Sequence, residues 1–414
     1  MARGSMIDIN SADGAAFPGY LALPLQGSGP GLILVHEMVG LNDFMRAMAE
    51  RLAEEGYVCL VPDLYWRQQA GVNLAYTEAD FKRAQALREG LDSELALSDI
   101  QTCASALRAQ PAYCGKLGII GWSMGGLLAT LAAARFDFDC AVSYYGVGLE
   151  LHAAALRQLR CPSLLQTGDA DAKVPASTRD AIAAAIAAQP MVELQIYAGC
   201  AHGFANPAHH NYDKPAAMMA YSRTIALLRR ELGPVYDLSR LWDAHTLHEF
   251  ATRDVDATMA TMVEQPYVNH IPTMTGGVGH DHLKRFYKYH FVNSNPPDTR
   301  LIPVSRTIGA DRLVDEMVFC FTHTCEIPWM LPGIAPSGRY VEIPLVAVVN
   351  FRGDKLYHEH IYWDQASVLV QIGMLDASGL PVAGIATAKK LIDETLPSNG
   401  LMATSWAASE GRPL

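Results

Sequence analysis

Residues 117–135, LGIIGWSMGGLLATLAAAR, admit few backbone solutions. A short apolar run (Leu117, Ile119, Ile120) ends in Gly121-Trp122-Ser123-Met124-Gly125-Gly126, and an Ala-rich helical pattern follows at once. A strand must turn sharply into a helix, with Ser123 at the apex. The glycines have a steric reason to be there. A side chain at Gly121 or Gly125 would collide with the neighbouring strand or helix, and the apex itself is strained. The turn exposes the serine hydroxyl and aims the first N–H groups of the helix, with their partial positive charge, at whatever the serine attacks.

The first half of the chain supplies a sheet for that turn. Residues 30–36 and 57–61 read as buried strands, with an amphipathic helix capped by Asn42 or Asp43 between them. Helical patterns follow at 78–90 and 93–109. Beyond the turn, strands are expected at 140–145, 163–166 and 192–196, with helices opening at Ser177 and near residue 213. The first five residues, MARGS, carry no structural weight. Strands alternating with helices mean parallel crossovers, hence a doubly wound, mostly parallel α/β sheet whose ligands bind at the carboxyl ends of the strands.

At 414 residues the chain is long enough for two domains. A net charge of -11 argues against nucleic acid or an anionic membrane surface as partner. No apolar run approaches the roughly 18 residues needed to span a bilayer, and the N-terminus lacks the apolar core of a secretion signal, so a cytoplasmic protein is expected. The eight cysteines form no C-x-x-C pair and read as buried reduced thiols.

A serine hydroxyl needs a base, normally histidine, oriented by a carboxylate. On sheets of this kind the partners follow in the order Ser, acid, His. The chain offers Ser123, then Asp169 or Asp171, then His202, each just past an expected strand. Asp171 lies further along its loop and is the expected acid, whereas Asp169, beside Gly168, shapes the turn. His202 stands among small residues; His209 and His210 fall in a polar segment that reads as a solvated loop. The oxyanion hole should combine the N–H of Met124 with one from the Glu37–Met38 loop. Glu37 beside a developing oxyanion must be turned away, paired, or used to switch the nucleophile.

VHEMVGLNDFMR, EEGYVCLVPDLYWR, GKLGIIGWSMGG, YYGVGLE, GDADAKVP and AGCAHGF together resemble the dienelactone hydrolase (carboxymethylenebutenolidase) family over nearly all of residues 7–232. The resemblance implies an α/β-hydrolase fold that cleaves small esters and lactones through a triad of Ser123, His202 and Asp171. It also implies a Glu37 that contacts the nucleophile. The family's namesakes carry cysteine where this chain has Ser123. They bind a substrate carboxylate with two arginines, at positions that fall on Phe81 and Asn206 here, with Arg83 as a nearby substitute. A neutral or more apolar ester or lactone is therefore expected, in a pocket drawing on Trp122, Phe81, Arg83, Phe204 and Asn206, with no cofactor.

Gly233-Pro234 opens a linker at 233–240, and the character then changes. A helical pattern covers 241–263 and another 280–292, before long strands at 301–308, 312–322, 340–351 and 355–364. Helices followed by long antiparallel strands indicate an α+β domain over 241–395, with a tail at 396–414. FRGDKLYHEHIYWDQASVLVQIGML, with the helices before it, resembles the SnoaL-like branch of the NTF2-like cone fold. That likeness implies an acid/base role for Asp364, with His360, His323, Glu326 and Trp329 facing the cone. Neither His358 with His360 nor His280 with His282 has a further ligand, so no metal is expected. The expectation is a serine esterase or lactonase whose second domain shapes the substrate entrance, binds a ligand or forms a homodimer. The alternatives are a bifunctional enzyme whose second domain isomerises or cyclises a small molecule, and a non-catalytic binding or scaffold protein.

Overall fold

The computed structural model describes residues 4–413. The chain divides into two compact units, Met1–Tyr236 and Asp237–Leu414.

In the first unit the strands are β1 (Ser5–Asn10), β2 (Ala16–Ala22), β3 (Gly29–Val35), β4 (Val58–Pro62), β5 (Tyr113–Trp122), β6 (Cys140–Tyr144), β7 (Ser163–Gly168) and β8 (Val192–Tyr197). Among the described residues they form one sheet in the order β1-β2-β4-β3-β5-β6-β7-β8. From β4 through β8 the neighbours pair in parallel. At the other edge β1, β2 and β4 pair antiparallel. Sequence reading missed β1 and β2 and gave Ser5 no weight. Their runs are short and broken by Pro18-Gly19, which blurs the period of two.

The central strands are buried along their whole length, as a parallel sheet covered on both faces requires. Asn42 caps the helix Asp43–Glu54, its side chain accepting from the Met45 amide. The helix Met124–Arg135 is buried almost all round, which explains its run of Ala and Gly: a backbone packed this closely has no room for larger side chains.

The second unit holds β9 (Met262–His270), β10 (Thr275–Val278), β11 (Arg300–Ile308), β12 (Arg312–Thr322), β13 (Tyr340–Arg352) and β14 (Lys355–Trp363). They are ordered β10-β9-β14-β13-β12-β11, antiparallel except for the parallel β9–β14 pair. The helical pattern expected at 241–263 is broken. It becomes an α-helix at Leu238–Thr246, a π-type turn at Leu247–Ala251 and a short helix at Val255–Ala260, after which β9 begins. Six of the eight cysteines are buried, Cys325 is half-buried and Cys114 is exposed. Among the described residues no helix is long and apolar enough to cross a membrane.

Candidate active site

Ser123 sits between β5 and the helix Met124–Arg135 with φ 54° and ψ −115°, a left-handed conformation that costs a non-glycine residue of order 1–3 kcal/mol. Its neighbours enforce it. A Cβ on Gly121 would lie 1.9 Å from the Gly125 carbonyl oxygen, and one on Gly125 would lie 2.2 Å from that of Val35. The turn can close only with hydrogen at both positions.

Three strand ends bring their side chains together here. The Ser123 hydroxyl lies 2.9 Å from His202 Nε2, and His202 Nδ1 lies 2.8 Å from Asp171 Oδ2. Asp171 is buried, and its other oxygen accepts the Lys173 amide at 2.8 Å. The carboxylate holds the proton on Nδ1, leaving the Nε2 lone pair toward the serine. Asn211 donates its side-chain amide to the His202 carbonyl at 2.9 Å and steadies that loop. Asp169 accepts the Gly199 amide at 2.6 Å and shapes the turn.

The segment around His209 is a largely exposed loop, but the His209 side chain itself is not solvated. It is buried against Tyr76 and Phe81, accepts the Asn211 amide, and burial pushes its pKa down to about 4. Gly203 takes φ 84°, and a Cβ there would strike the His209 ring. His210 is exposed and stacks on His209.

Glu37 is paired. One oxygen accepts the Tyr145 hydroxyl at 2.9 Å; the other accepts the Tyr76 hydroxyl at 2.7 Å and the Asn206 amide at 3.3 Å. All three donors point at a carboxylate that is 5% exposed. Next to it, His36 is wholly buried and kept neutral by that burial. It accepts the Leu64 amide at Nε2 and donates from Nδ1 to the Glu37 carbonyl at 2.6 Å. The backbone of the Glu37–Met38 loop is thus fixed from both sides, opposite the Met124 end of the helix. Tyr65 reinforces it by donating to the Met38 carbonyl at 3.0 Å. Tyr65, Tyr76 and Tyr145 were not singled out from sequence, where nothing in their spacing links them to Glu37.

The residues expected to line the substrate pocket do not assemble as one wall. Asn206 is fully buried and spends its amide on Glu37 and Tyr76. Phe204 is fully buried behind the histidine, edge-on to Tyr145. Arg83 is exposed and donates to Gln69 at 2.8 Å. Phe81 packs edge-on against Tyr76 and His209. Trp122 stacks on Tyr144 and lines a hollow of about 160 Å³ with Phe44, Tyr212 and Tyr221.

In the second unit, Trp329 faces a buried cavity, whereas Asp364, His360 and His323 do not line it. Asp364 is exposed and caps the helix Gln365–Ile372, accepting from the Ala366 and Ser367 amides and the Ser367 hydroxyl. His360 alternates to the other face of β14 and meets Tyr267 and His358. His323 is bound to Ser337 in a turn, and Glu326 is exposed.

Residues 17–232 match the model of the dienelactone hydrolase family. The carboxymethylenebutenolidase of Pseudomonas putida is 34% identical over 223 residues, which is 54% of this chain and 94% of that protein. Carboxymethylenebutenolidase 1 of Cupriavidus pinatubonensis is 32% identical over 223 residues, 54% of this chain and 95% of that one. A Klebsiella pneumoniae crystal structure assigned to the dienelactone hydrolases superposes with a TM-score of 0.50 at 27% identity. It covers 56% of this chain and 99% of its own. The first unit therefore has an α/β-hydrolase fold of the esterase and lactonase class. The chain belongs to the dienelactone hydrolase family.

Proposed function

We propose that the chain is a serine esterase or lactonase cleaving a small ester or lactone through an acyl-enzyme on Ser123. The observation that carries this reading is the unbroken hydrogen-bonded chain Asp171–His202–Ser123, ending at a strained apex over a helix N-terminus. Ser123 Oγ attacks the acyl carbon while His202 Nε2 takes its proton, and the oxyanion is held by the amides of Met124 and the Glu37–Met38 loop. His202 then protonates the leaving alcohol. Water enters, loses its proton to His202, and the acid leaves as Ser123 is regenerated.

Glu37 acts as a positioning residue in this scheme. With both oxygens engaged by Tyr145, Tyr76 and Asn206, it anchors the oxyanion loop. A neutral substrate is favoured over dienelactone itself. Phe81 and Asn206 stand where the family's carboxylate-binding arginines are expected, and Arg83 is tied to Gln69.

The hydrolase domain is taken as 7–232, followed by the linker 233–240. A SnoaL-like/NTF2-like domain at 241–395 fits helices followed by a long-stranded sheet around an aromatic cavity, with a tail at 396–414. A cytoplasmic homodimer is the simplest assembly for such a chain. A bifunctional reading loses its named acid, because Asp364 is committed to a helix cap.

Labelling with a small fluorophosphonate, read by intact mass and peptide mapping, tests the scheme. Wild type should gain one adduct on Ser123, and Ser123→Ala and His202→Ala should gain none. An adduct elsewhere, or equal labelling of His202→Ala, would defeat it.

A further inference from the structure

The second unit contains a polar cluster that the hydrolase chemistry does not use. His245 is fully buried, its ring stacked on Trp242 at 5.7 Å. Its Nδ1 lies 2.6 Å from the Thr261 hydroxyl, whose own proton goes to the Thr258 carbonyl at 2.6 Å. Thr261 can therefore only accept, so Nδ1 carries hydrogen and Nε2 is aimed the other way. There it meets two buried carboxylates, Glu249 Oε1 and Glu359 Oε1, each at 3.2 Å.

Those three atoms require a cation between them, either a proton or a metal ion. A single proton on Nε2 points at one carboxylate only. The Tyr287 hydroxyl also reaches both acids, yet Glu359 Oε1 makes no hydrogen bond of good geometry although Glu359 is 2% exposed, and a poorly paired buried carboxylate oxygen is costly. A metal ion satisfies all three ligands at once. Two ligand atoms about 2.0–2.1 Å from one ion, at about 100°, are about 3.2 Å apart. The three ligand atoms lie within 4.8 Å of one another, the one such group among the described residues.

Two further features mark the place. The cluster borders a cavity of about 30 Å³, room for one or two waters but not for a substrate-sized molecule. Two π-type turns also reach it. Glu249 and Phe250 belong to Leu247–Ala251, and Tyr287 and Phe291 to Tyr287–Phe291. Single π-turns often occur at functional sites, where they re-aim a side chain. The Tyr287 hydroxyl lies 3.4 Å from His245 Nε2.

We propose that His245, Glu249 and Glu359 bind one first-row divalent transition-metal ion, with one or two waters completing its shell. One imidazole nitrogen and two carboxylate oxygens suit Zn²⁺, Mn²⁺ or Fe²⁺ better than a soft copper(I) or an all-oxygen calcium site. The ion's two positive charges balance the two carboxylates. The Thr261 contact supplies the outer hydrogen bond that metal-bound histidines usually make.

The test uses the full chain, stripped with a chelator and dialysed against micromolar zinc or manganese. Metal per chain is then counted by elemental mass spectrometry. Wild type should retain one equivalent, and Glu359→Gln and His245→Gln should bind at least about tenfold more weakly, the least that even an outer-shell loss costs. Near-UV circular dichroism identifies any variant that fails to fold. Cobalt substitution of wild type gives an answer that needs no variant: visible bands of nitrogen and oxygen ligation support the site, whereas a thiolate charge-transfer band overturns it. Failure of wild type to retain metal, or equal retention by folded variants, also overturns it and leaves a proton-bridged cluster.

Discussion

Replacing Tyr145 with Phe isolates one bond of the knot around Glu37. The hydroxyl donates at 2.9 Å to Oε1, while the other two donors both serve Oε2. The substitution leaves a buried carboxylate oxygen without its partner and keeps the ring, which packs 5.0 Å from His202. A hydrogen bond to a charged group contributes about 1.5–3 kcal/mol, and orphaning a buried oxygen places the loss in the upper half of that range. For a unit of this size the hydrolase transition should fall by about 4–12 °C. Tyr144→Phe is the matched control. Its hydroxyl is equally buried but bonds the neutral Thr224 side chain at 2.6 Å, so about 1 kcal/mol is expected. Both variants would be melted by calorimetry, with ester hydrolysis measured well below the transition. Tyr145→Phe should retain its rate within about tenfold, since only the loop anchor is weakened. Equal destabilisation by the two variants would refute the charged-knot argument. A rate as low as that of Ser123→Ala would mean that the phenol takes part in the chemistry.

Gly125→Ala should fail to give soluble protein, or lose about 3 kcal/mol or more, because the added carbon meets the Val35 and His36 carbonyl oxygens at 2.2 and 2.5 Å and backbone cannot swing aside; a melt equal to wild type would contradict this. His209, held down to about 4 chiefly by burial, takes up a proton in the unfolded chain near pH 6.5 but in the folded one only near pH 4. Stability should therefore fall as pH drops from about 6.5 to about 4, and denaturant titrations should show a shallower fall in His209→Gln.

Most of the sheet beyond β1 and β2, and the meeting of Ser123, His202 and Asp171, were legible because local signals carry them. The strand–glycine–serine–helix turn, the caps and the buried β-rich runs each lie within a dozen residues, and the chain order of serine, acid and histidine did the rest. The network around Glu37 was not. Tyr76, Tyr145 and Asn206 lie 39, 108 and 169 residues from it, and no periodicity links them. Asn206 was taken for a pocket wall because the resemblance sets a family arginine there, and Phe204 was expected in the same pocket, whereas both are fully buried. Asp364 could have been read correctly: Asp-x-x-Ser ahead of an apolar run is a helix start. The His245–Glu249 pair has a helical spacing of four, but its third partner, Glu359, comes from a strand more than a hundred residues away.

The choice of oxygen over sulfur at the apex bears on where such an enzyme can work. A thiolate nucleophile is open to peroxide and to disulfide exchange, while a serine hydroxyl is inert to both. Cys200, two positions before His202, is buried, and that burial raises its thiol pKa and suppresses the reactive anion. The fully buried Cys59 and Cys103 are held in the thiol form more firmly still. Cys114, nine positions before Ser123 near the start of β5, is exposed. An acyl-enzyme on Ser123, as proposed, would therefore need no reduced thiol at the apex.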